Sequence, residues 1–317
     1  MPEWLIEEGI GEDRAALVKN GEIIAARVDW HGGLKPGQVV DAELIERTAG
    51  SSRGVALFDT FHEIWVDRLP REASEGSKIR LEITRAATEE RVRSKPALAR
   101  PSDKSICQPP ILAQTLGARP VRSIDDWNSL YVDAVEKIIS FEGGSLIVEP
   151  TSALTAIDID GPLSPKALAL AAIPAIAQTI RRLDLTGSVA IDFPTISAKS
   201  DRVAIDSALA AALVDWPHEK TAMNGFGLVQ LVARRDRPSL LELVEYQPHA
   251  AAARWLLRQA ERLEGAGRIE LSAHPNVIRH LTEDWLTQLS RRTGREVVTR
   301  ADLKYGNSNG NVQIVPL

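Results

Sequence analysis

A chain of 317 residues has room for two or three domains, and 44% hydrophobic with 26% charged residues is the balance of an ordinary globular protein with a sizeable core. A net charge of −5 argues against bulk attraction to nucleic acid, so any phosphate-binding surface has to come from local clustering of cations. The single Cys107 excludes an internal disulfide and suits a reducing, cytoplasmic setting; with no basic, apolar leader after Met1 and no unbroken apolar run of about 18 residues, no membrane partner is expected.

In chain order, residues 1–35 read as a β-hairpin that packs on the rest, because two apolar-alternating runs flank Lys19-Asn20-Gly21-Glu22. Residues 36–100 read as a small β-barrel of the oligonucleotide-binding (OB) type. Its candidate strands are Val39–Glu46, Gly54–Phe58, Glu63–Val66 and Lys78–Arg85, with an extension over Glu90–Leu98. Phe58, Phe61, His62 and Trp65 lie beside a basic stretch from Lys78 to Lys104, the pairing of aromatics and cations that stacks bases and holds phosphates. The competing reading puts Phe58 and Trp65 inside the barrel and leaves the cations as solvated surface. Prolines at 96, 101, 109, 110 and 120 mark a linker, whose main part is residues 101–122.

A helix is expected over Ser123–Phe141, with Asp125 or Ser123 as its cap. Residues 123–245 then alternate strands and helices, the sign of an α/β layer. A helix capped by Ser164 is expected to run to Leu183, a second over Asp201–Trp216, and a strand over Gly225–Ala233. Residues 246–317 read as a small α/β unit. Its expected elements are a helix over Pro248–Glu264 with Arg254, Arg258 and Arg262 outward, a strand over Arg268–Ala273, a helix over Pro275–Thr293 and two closing strands. The predicted fold class is therefore multidomain, α+β with an α/β core.

The chemistry is expected in Asp158-Ile-Asp160 and Ser188-Val-Ala-Ile-Asp192. Alternation along a strand puts Asp158 and Asp160 on one side and Ile157 and Ile159 on the other. A parallel neighbour would bring Asp192 alongside. Carboxylates gathered this way repel one another unless protonated or bound to a cation, and hard oxygen ligands suit magnesium, with manganese as the other candidate ion. Standing alone, either aspartate would read as a helix cap or a surface ion pair.

Ala153-Leu-Thr-Ala-Ile-Asp-Ile-Asp160, Leu185-Thr-Gly-Ser-Val-Ala-Ile-Asp-Phe193 and Phe226-Gly-Leu228 followed by Arg237-Pro-Ser-Leu-Leu-Glu242 come in one order. With Ile176–Leu185 before the second, they resemble the catalytic core of the ribonuclease E/G family, over roughly residues 140–245. The resemblance implies a metal-dependent endoribonuclease that cuts single-stranded RNA and leaves 5′-phosphate and 3′-hydroxyl ends. It implies Asp158 and Asp192 as metal ligands and catalytic residues. It also implies an RNA-binding barrel after the N-terminal hairpin, with Phe61 or Trp65 stacking on RNA. Arg91, Arg93, Arg234 and Arg235 are the candidate phosphate contacts. Asp160 stands where the family usually has asparagine. An ionised Asp accepts hydrogen bonds but donates none, so Asp160 is either a further metal ligand or a change that weakens catalysis.

Two family features are missing. The stretch between barrel and core is too short for a domain that senses the 5′ end of RNA. The Cys-Pro-x-Cys zinc link between subunits is replaced by Val244-Glu-Tyr-Gln-Pro-His-Ala250, so a monomer or a zinc-independent homodimer is expected. The rival readings are a non-catalytic RNA-binding protein that keeps the fold, and a metal-dependent nuclease for DNA or a phosphatase.

Overall fold

The computed structural model describes residues 1–316. β1 (Glu3–Glu8), β2 (Glu12–Lys19) and β3 (Glu22–Trp30) form an antiparallel meander. Asn20 and Gly21 both adopt positive φ, 53° and 83°, as a two-residue hairpin turn of matching twist requires. Ala16, Ile23 and Ala26 of this meander join the main apolar core, so the hairpin is part of the central body.

The barrel is built from β4 (Val39–Arg47), β5 (Gly54–Leu57), β6 (Glu63–Val66), β7 (Lys78–Arg85) and a later fifth strand. Between them, β8 (Thr88–Glu89) and β9 (Ser94–Lys95) make a separate two-stranded ribbon. The fifth strand is β10 (Ala97–Pro101), not the expected Glu90–Leu98. Pro96 has no N–H for a ladder and divides the ribbon from the strand. Closure follows the order β10-β6-β5-β4-β7, with β10 parallel to β6 and antiparallel to β7. Leu44, Ala56, Ile64, Val66, Leu81 and Ile83 fill it.

After the barrel the chain is more ordered than a linker. It holds a short helix α1 (Leu112–Leu116) and β11 (Arg119–Pro120), which adds in parallel to the β1 edge. Helix α2 (Trp127–Glu136) stops before the expected Phe141, at a left-handed Lys137 with φ of 61°. The β-branched pair that follows joins β12 (Ile138–Phe141) instead, because Ile138 and Ile139 pair with Ile147 and Leu146. Asp126 takes the N-cap position, again in the left-handed region, rather than Ser123 or Asp125.

The central sheet continues with β13 (Gly144–Pro150), β14 (Thr155–Asp160), α3 (Pro165–Arg182), β15 (Ser188–Asp192), α4 (Lys199–Ala212), β16 (His218–Lys220) and β17 (Leu228–Ala233). Its order is β12-β13-β14-β15-β17-β16. Only β14 and β15 are parallel, and α3 is their crossover. A short helix α5 (Leu240–Tyr246) follows, closed by a capping box between Ser239 and Glu242.

The last unit contains α6 (Pro248–Glu261), β18 (Arg268–Ala273), α7 (Pro275–Ile278), α8 (Glu283–Thr293), β19 (Val297–Ala301) and β20 (Gly310–Val315). Its sheet order is β19-β18-β20. The single helix expected over Pro275–Thr293 is two, since Thr282 caps α8 by accepting from the Trp285 N–H. The outward placement of Arg254 and Arg258 is overturned. Arg258 is 1% exposed and donates to Glu7 at 3.0 and 3.2 Å, while Arg254 lies 3.9 Å from the Trp30 ring centre. Glu7 also accepts from Arg14 at 2.9 Å and from the Ile124 N–H at 2.8 Å, so one buried carboxylate joins hairpin, core and tail. Among the described residues, no helix is long and apolar enough to cross a membrane.

Candidate active site

The central sheet is two-sided. Ile157, Ile159, Val189, Ile191, Val229 and Leu231 are buried against the core that includes α3, whose Ala169, Ala172, Ile176 and Ile180 are fully enclosed. Period-two alternation sends Asp158, Asp160, Asp192, Leu228, Gln230 and Val232 to the other face, where all are exposed. Two-residue alternation thus turns one apolar face into an anchor and leaves the other to chemistry.

Register brings the carboxylates together. Asp158 is the direct partner of Asp192 on the parallel pair β14–β15. Ile147 flanks Asp158 on one side, and Leu228 flanks Asp192 on the other. Adjacent strands lie about 4.8 Å apart, so the two carboxylates are near neighbours. Asp160 is on the same face one row along, opposite Ser145. The Oδ1 of Asp158 accepts from the Ile159 N–H at 3.0 Å, a purely local contact. Among the described residues, none of the three aspartates has a cationic partner. Nor does any group of three His, Cys, Asp or Glu side chains among the described residues converge as a metal site. A cation here has two adjacent carboxylates and solvent, a donor set that fits magnesium, which keeps several waters and takes one or two protein carboxylates.

The barrel candidates divide. Phe61, 86% exposed, tops the β5–β6 turn, where the Asp59 carboxylate accepts from the N–H groups of Phe61 and His62 at 2.8 Å. Trp65 is 39% exposed on the outside of β6, between the inward Ile64 and Val66, so it does not fill the barrel. Most cations of the basic stretch already stand in ion pairs. Arg80 pairs with Asp41 at 2.8 Å, and Glu82 receives Lys104 at 2.6 Å and Arg100 at 3.1 Å. The hydrogen bond from Lys104 holds the Glu82 carboxyl below its usual range. Glu90 is buried, which works to raise its pKa, yet Lys95 and Arg93 together hold it low.

Arg91, at the ribbon tip, and Arg234, after β17, are exposed. Arg93 is bound to Glu90 at 2.8 Å. Arg235 donates to Glu242 at 2.6 Å and sits 4.0 Å from Glu90. With the Ala86 N–H on the Asp236 carbonyl at 2.8 Å, this makes Arg235 a joint between barrel and core.

Sequence spacing missed two features. The Phe226 side chain, on the turn before β17, is 82% exposed beside the strand end that carries Asp192. Its place in the Phe-Gly-Leu run was visible, but its exposure was not. The His249 ring centre lies 6.3 Å from that of His274 and 6.3 Å from that of His280, a grouping that no sequence interval signals.

Residues 128–236 match the sequence model of the ribonuclease E/G family, a span that contains Asp158, Asp160 and Asp192. No curated protein matches the chain.

Proposed function

We propose, from the match of residues 128–236 to the ribonuclease E/G family, that the chain is a metal-dependent endoribonuclease acting on single-stranded RNA. The observation that carries the reading is the register of Asp158 against Asp192 on an open sheet face, with no cation among the described residues paired to either. A folded chain that leaves two carboxylates side by side bears their repulsion, and a divalent ion relieves it.

Asp158 and Asp192 would hold the ion. Bound there, magnesium or manganese supplies Lewis-acid polarisation of the scissile phosphate and lowers the pKa of a coordinated water. The chain's own part is to orient and to accept. The flat, solvent-open face admits a single strand, and Asp160, an acceptor when ionised, is assigned the hydrogen bond from the attacking water. In the hydrolysis the water oxygen bonds to phosphorus and the bond from phosphorus to the 3′ oxygen breaks. The proton from water ends on that 3′ oxygen, which leaves a 5′-phosphate and a 3′-hydroxyl.

The barrel is proposed as the RNA grip. Taking its strands in chain order as one to five, the closed order is 1-2-3-5-4, with three and five parallel. This supports an oligonucleotide-binding type, whose second and third strands form the binding face. Those strands are β5 and β6, the ones that present Phe61 and Trp65.

The test is an RNA cleavage assay on a single-stranded oligomer with magnesium, repeated with EDTA, with the cut ends mapped. The reading expects internal cuts with 5′-phosphate ends that vanish on chelation. Tight RNA binding without cleavage would instead mark a non-catalytic RNA-binding protein. Cleavage of DNA alone, or release of terminal phosphate only, would give the site to a different phosphoester.

A further inference from the structure

We propose that Phe226 is a base-stacking residue, one that holds a nucleobase flanking the phosphodiester cut at Asp158 and Asp192. The proposal deepens the nuclease reading and rests on it. A single exposed apolar side chain is ordinary on a protein surface. What sets Phe226 apart is where it stands and how firmly its backbone is held.

Position comes from register. Leu228 is the direct partner of Asp192, and Phe226 lies two residues before it, on the turn that leads into β17. Leu228 itself is 41% exposed. An exposed aliphatic side chain thus faces Asp192 across the strands, and an exposed aromatic stands on the turn just beyond that strand end. Nothing in the protein core uses the ring, since Phe226 is 82% exposed.

The turn is stapled in place from both ends. The Asn224 side-chain oxygen accepts from the Phe226 N–H at 2.9 Å and the Leu228 N–H at 3.1 Å. Its backbone accepts from the Gly227 N–H at 3.2 Å. The Phe193 N–H, next to Asp192, donates to the Gly227 carbonyl at 3.3 Å. Gly227 has φ of +97°, and a Cβ there would fall 2.2 Å from the Phe193 carbonyl oxygen, so only glycine permits this approach. The aromatic is therefore fixed to the strand end that bears the second carboxylate. A pre-positioned ring loses little freedom when it stacks, and stacking tolerates any base because every base has a π face. Phe61 in the barrel is presented in the same way, by the Asp59 side chain gripping the turn beneath it.

The experiment uses the full chain and a single-stranded RNA whose cut has been mapped, together with a set of the same oligomer carrying one abasic nucleotide at each position flanking the cut. Phe226→Ala should keep its circular dichroism and melting temperature, because the ring makes no core contact, and should lower kcat/KM by about fivefold to a hundredfold, the range of one stacked base. One abasic position should cost the wild type a similar factor and cost Phe226→Ala almost nothing, and Phe226→Trp should restore the wild-type pattern. Affinity is read in parallel by anisotropy with the Asp158→Asn variant, with and without Phe226→Ala. Equal kcat/KM for Phe226→Ala and wild type overturns the proposal. So does a loss that is uniform across all abasic positions, which marks a structural effect. If the wild type cuts no RNA, yet one abasic position weakens binding only when Phe226 is present, the stacking site stands and the nuclease reading fails. If neither cutting nor such coupling is seen, both fall.

Discussion

In the barrel and the ribbon attached to it, three carboxylates are each met by a cation or two: Asp41 by Arg80, Glu82 by Arg100 and Lys104, Glu90 by Arg93 and Lys95. On the open face of the central sheet, Asp158, Asp160 and Asp192 are met by none among the described residues. Both regions are β-sheet, but Glu90 and Glu82 are largely covered, whereas the three aspartates of the sheet are open to water. The ion pairs tie down five cations with three carboxylates and so reduce, without cancelling, the positive charge. The sheet's carboxylates hold nothing together, and their adjacency disfavours the folded chain unless something outside the protein neutralises it. The paired charge serves structure; the unpaired charge is the reserve that the proposed cation would draw on.

The largest effect should come from removing that reserve. Asp158→Asn or Asp192→Asn is expected to slow RNA cleavage by about a thousandfold or more, since loss of one ligand to the ion removes several kcal/mol of transition-state stabilisation. RNA affinity should change little, and the melting temperature in EDTA should stay level or rise as repulsion is relieved. The comparison breaks if either variant melts well below wild type in EDTA, because the carboxylate would then be structural.

The carboxylate row was legible in the sequence because strand alternation and the crossover helix are both local patterns. Asp158, Asp160 and Asp192 needed only the expectation of one parallel neighbour. The Asn20-Gly21 turn and four barrel strands were legible for the same reason, since turn chemistry and alternation act within a few residues. What failed depended on contacts distant in sequence. Arg258 follows the spacing of an outer helix face, but Glu7, 251 residues away, supplies a buried partner. Arg254 is drawn in by Trp30 and Trp285. Ile138 and Ile139 continue the apolar spacing of α2, and only the ladder with β13 reassigns them to a strand. The basic stretch was visible as a list of cations; its pairing with Asp41 and Glu82 was not, because those partners sit on neighbouring strands 18 to 39 residues away, whereas the Glu90 pairs with Arg93 and Lys95 are local to the ribbon. Helix α5 carries its own capping signal in Ser239-Leu-Leu-Glu242, since Ser239 and Glu242 lie three apart as that box requires, yet no helix there is among the elements expected from the sequence.

On the barrel side, the aromatics offer the next effect in size. Phe61→Ala with Trp65→Ala should weaken binding to single-stranded RNA by about 1–3 kcal/mol per stacked base. Neither ring is in the barrel core, so the double variant should remain folded by circular dichroism. A folded double variant with unchanged affinity would remove the barrel face from the RNA path.

Glu90 tests the structural half of the comparison. Its side chain is 2% exposed and is shared by Lys95, Arg93 and, at 4.0 Å, Arg235 of the core. Breaking a fully buried pair costs about 3–5 kcal/mol, but the Arg93 side chain is 59% exposed and can rehydrate, so Glu90→Gln should cost roughly 2 kcal/mol. The sign with pH follows from the lowered pKa. The contribution is complete above the ordinary glutamate value of about 4.3 and is lost as pH falls through the lower folded value. Wild type should therefore lose stability below about pH 4.3, and Glu90→Gln should flatten that limb of the melting-temperature curve. Parallel acid limbs in the two proteins would show that Glu90 is not a clasp between barrel and core.

The smallest effect is the most direct probe of whether the barrel's ion-paired cations lie on an RNA path. Glu82 is held ionised at neutral pH by Lys104 and Arg100, so it cancels one of the two positive charges it touches and engages the donors of both. The side chains of Arg100 and Lys104 are 48% and 62% exposed, which lets them turn outward once released. Glu82→Gln keeps the shape and removes the charge. If RNA crosses this face, its affinity should rise by roughly threefold at low salt, and the slope of log affinity against log salt should steepen by about 0.7 for each phosphate newly neutralised. Binding that is indifferent to Glu82→Gln at every salt concentration would mean that these pairs serve the barrel alone. The RNA grip would then have to rest on the exposed Arg91 and Arg234 and on the aromatic tips, with stacking rather than charge as its main source, which is the arrangement a chain of net charge −5 can best support.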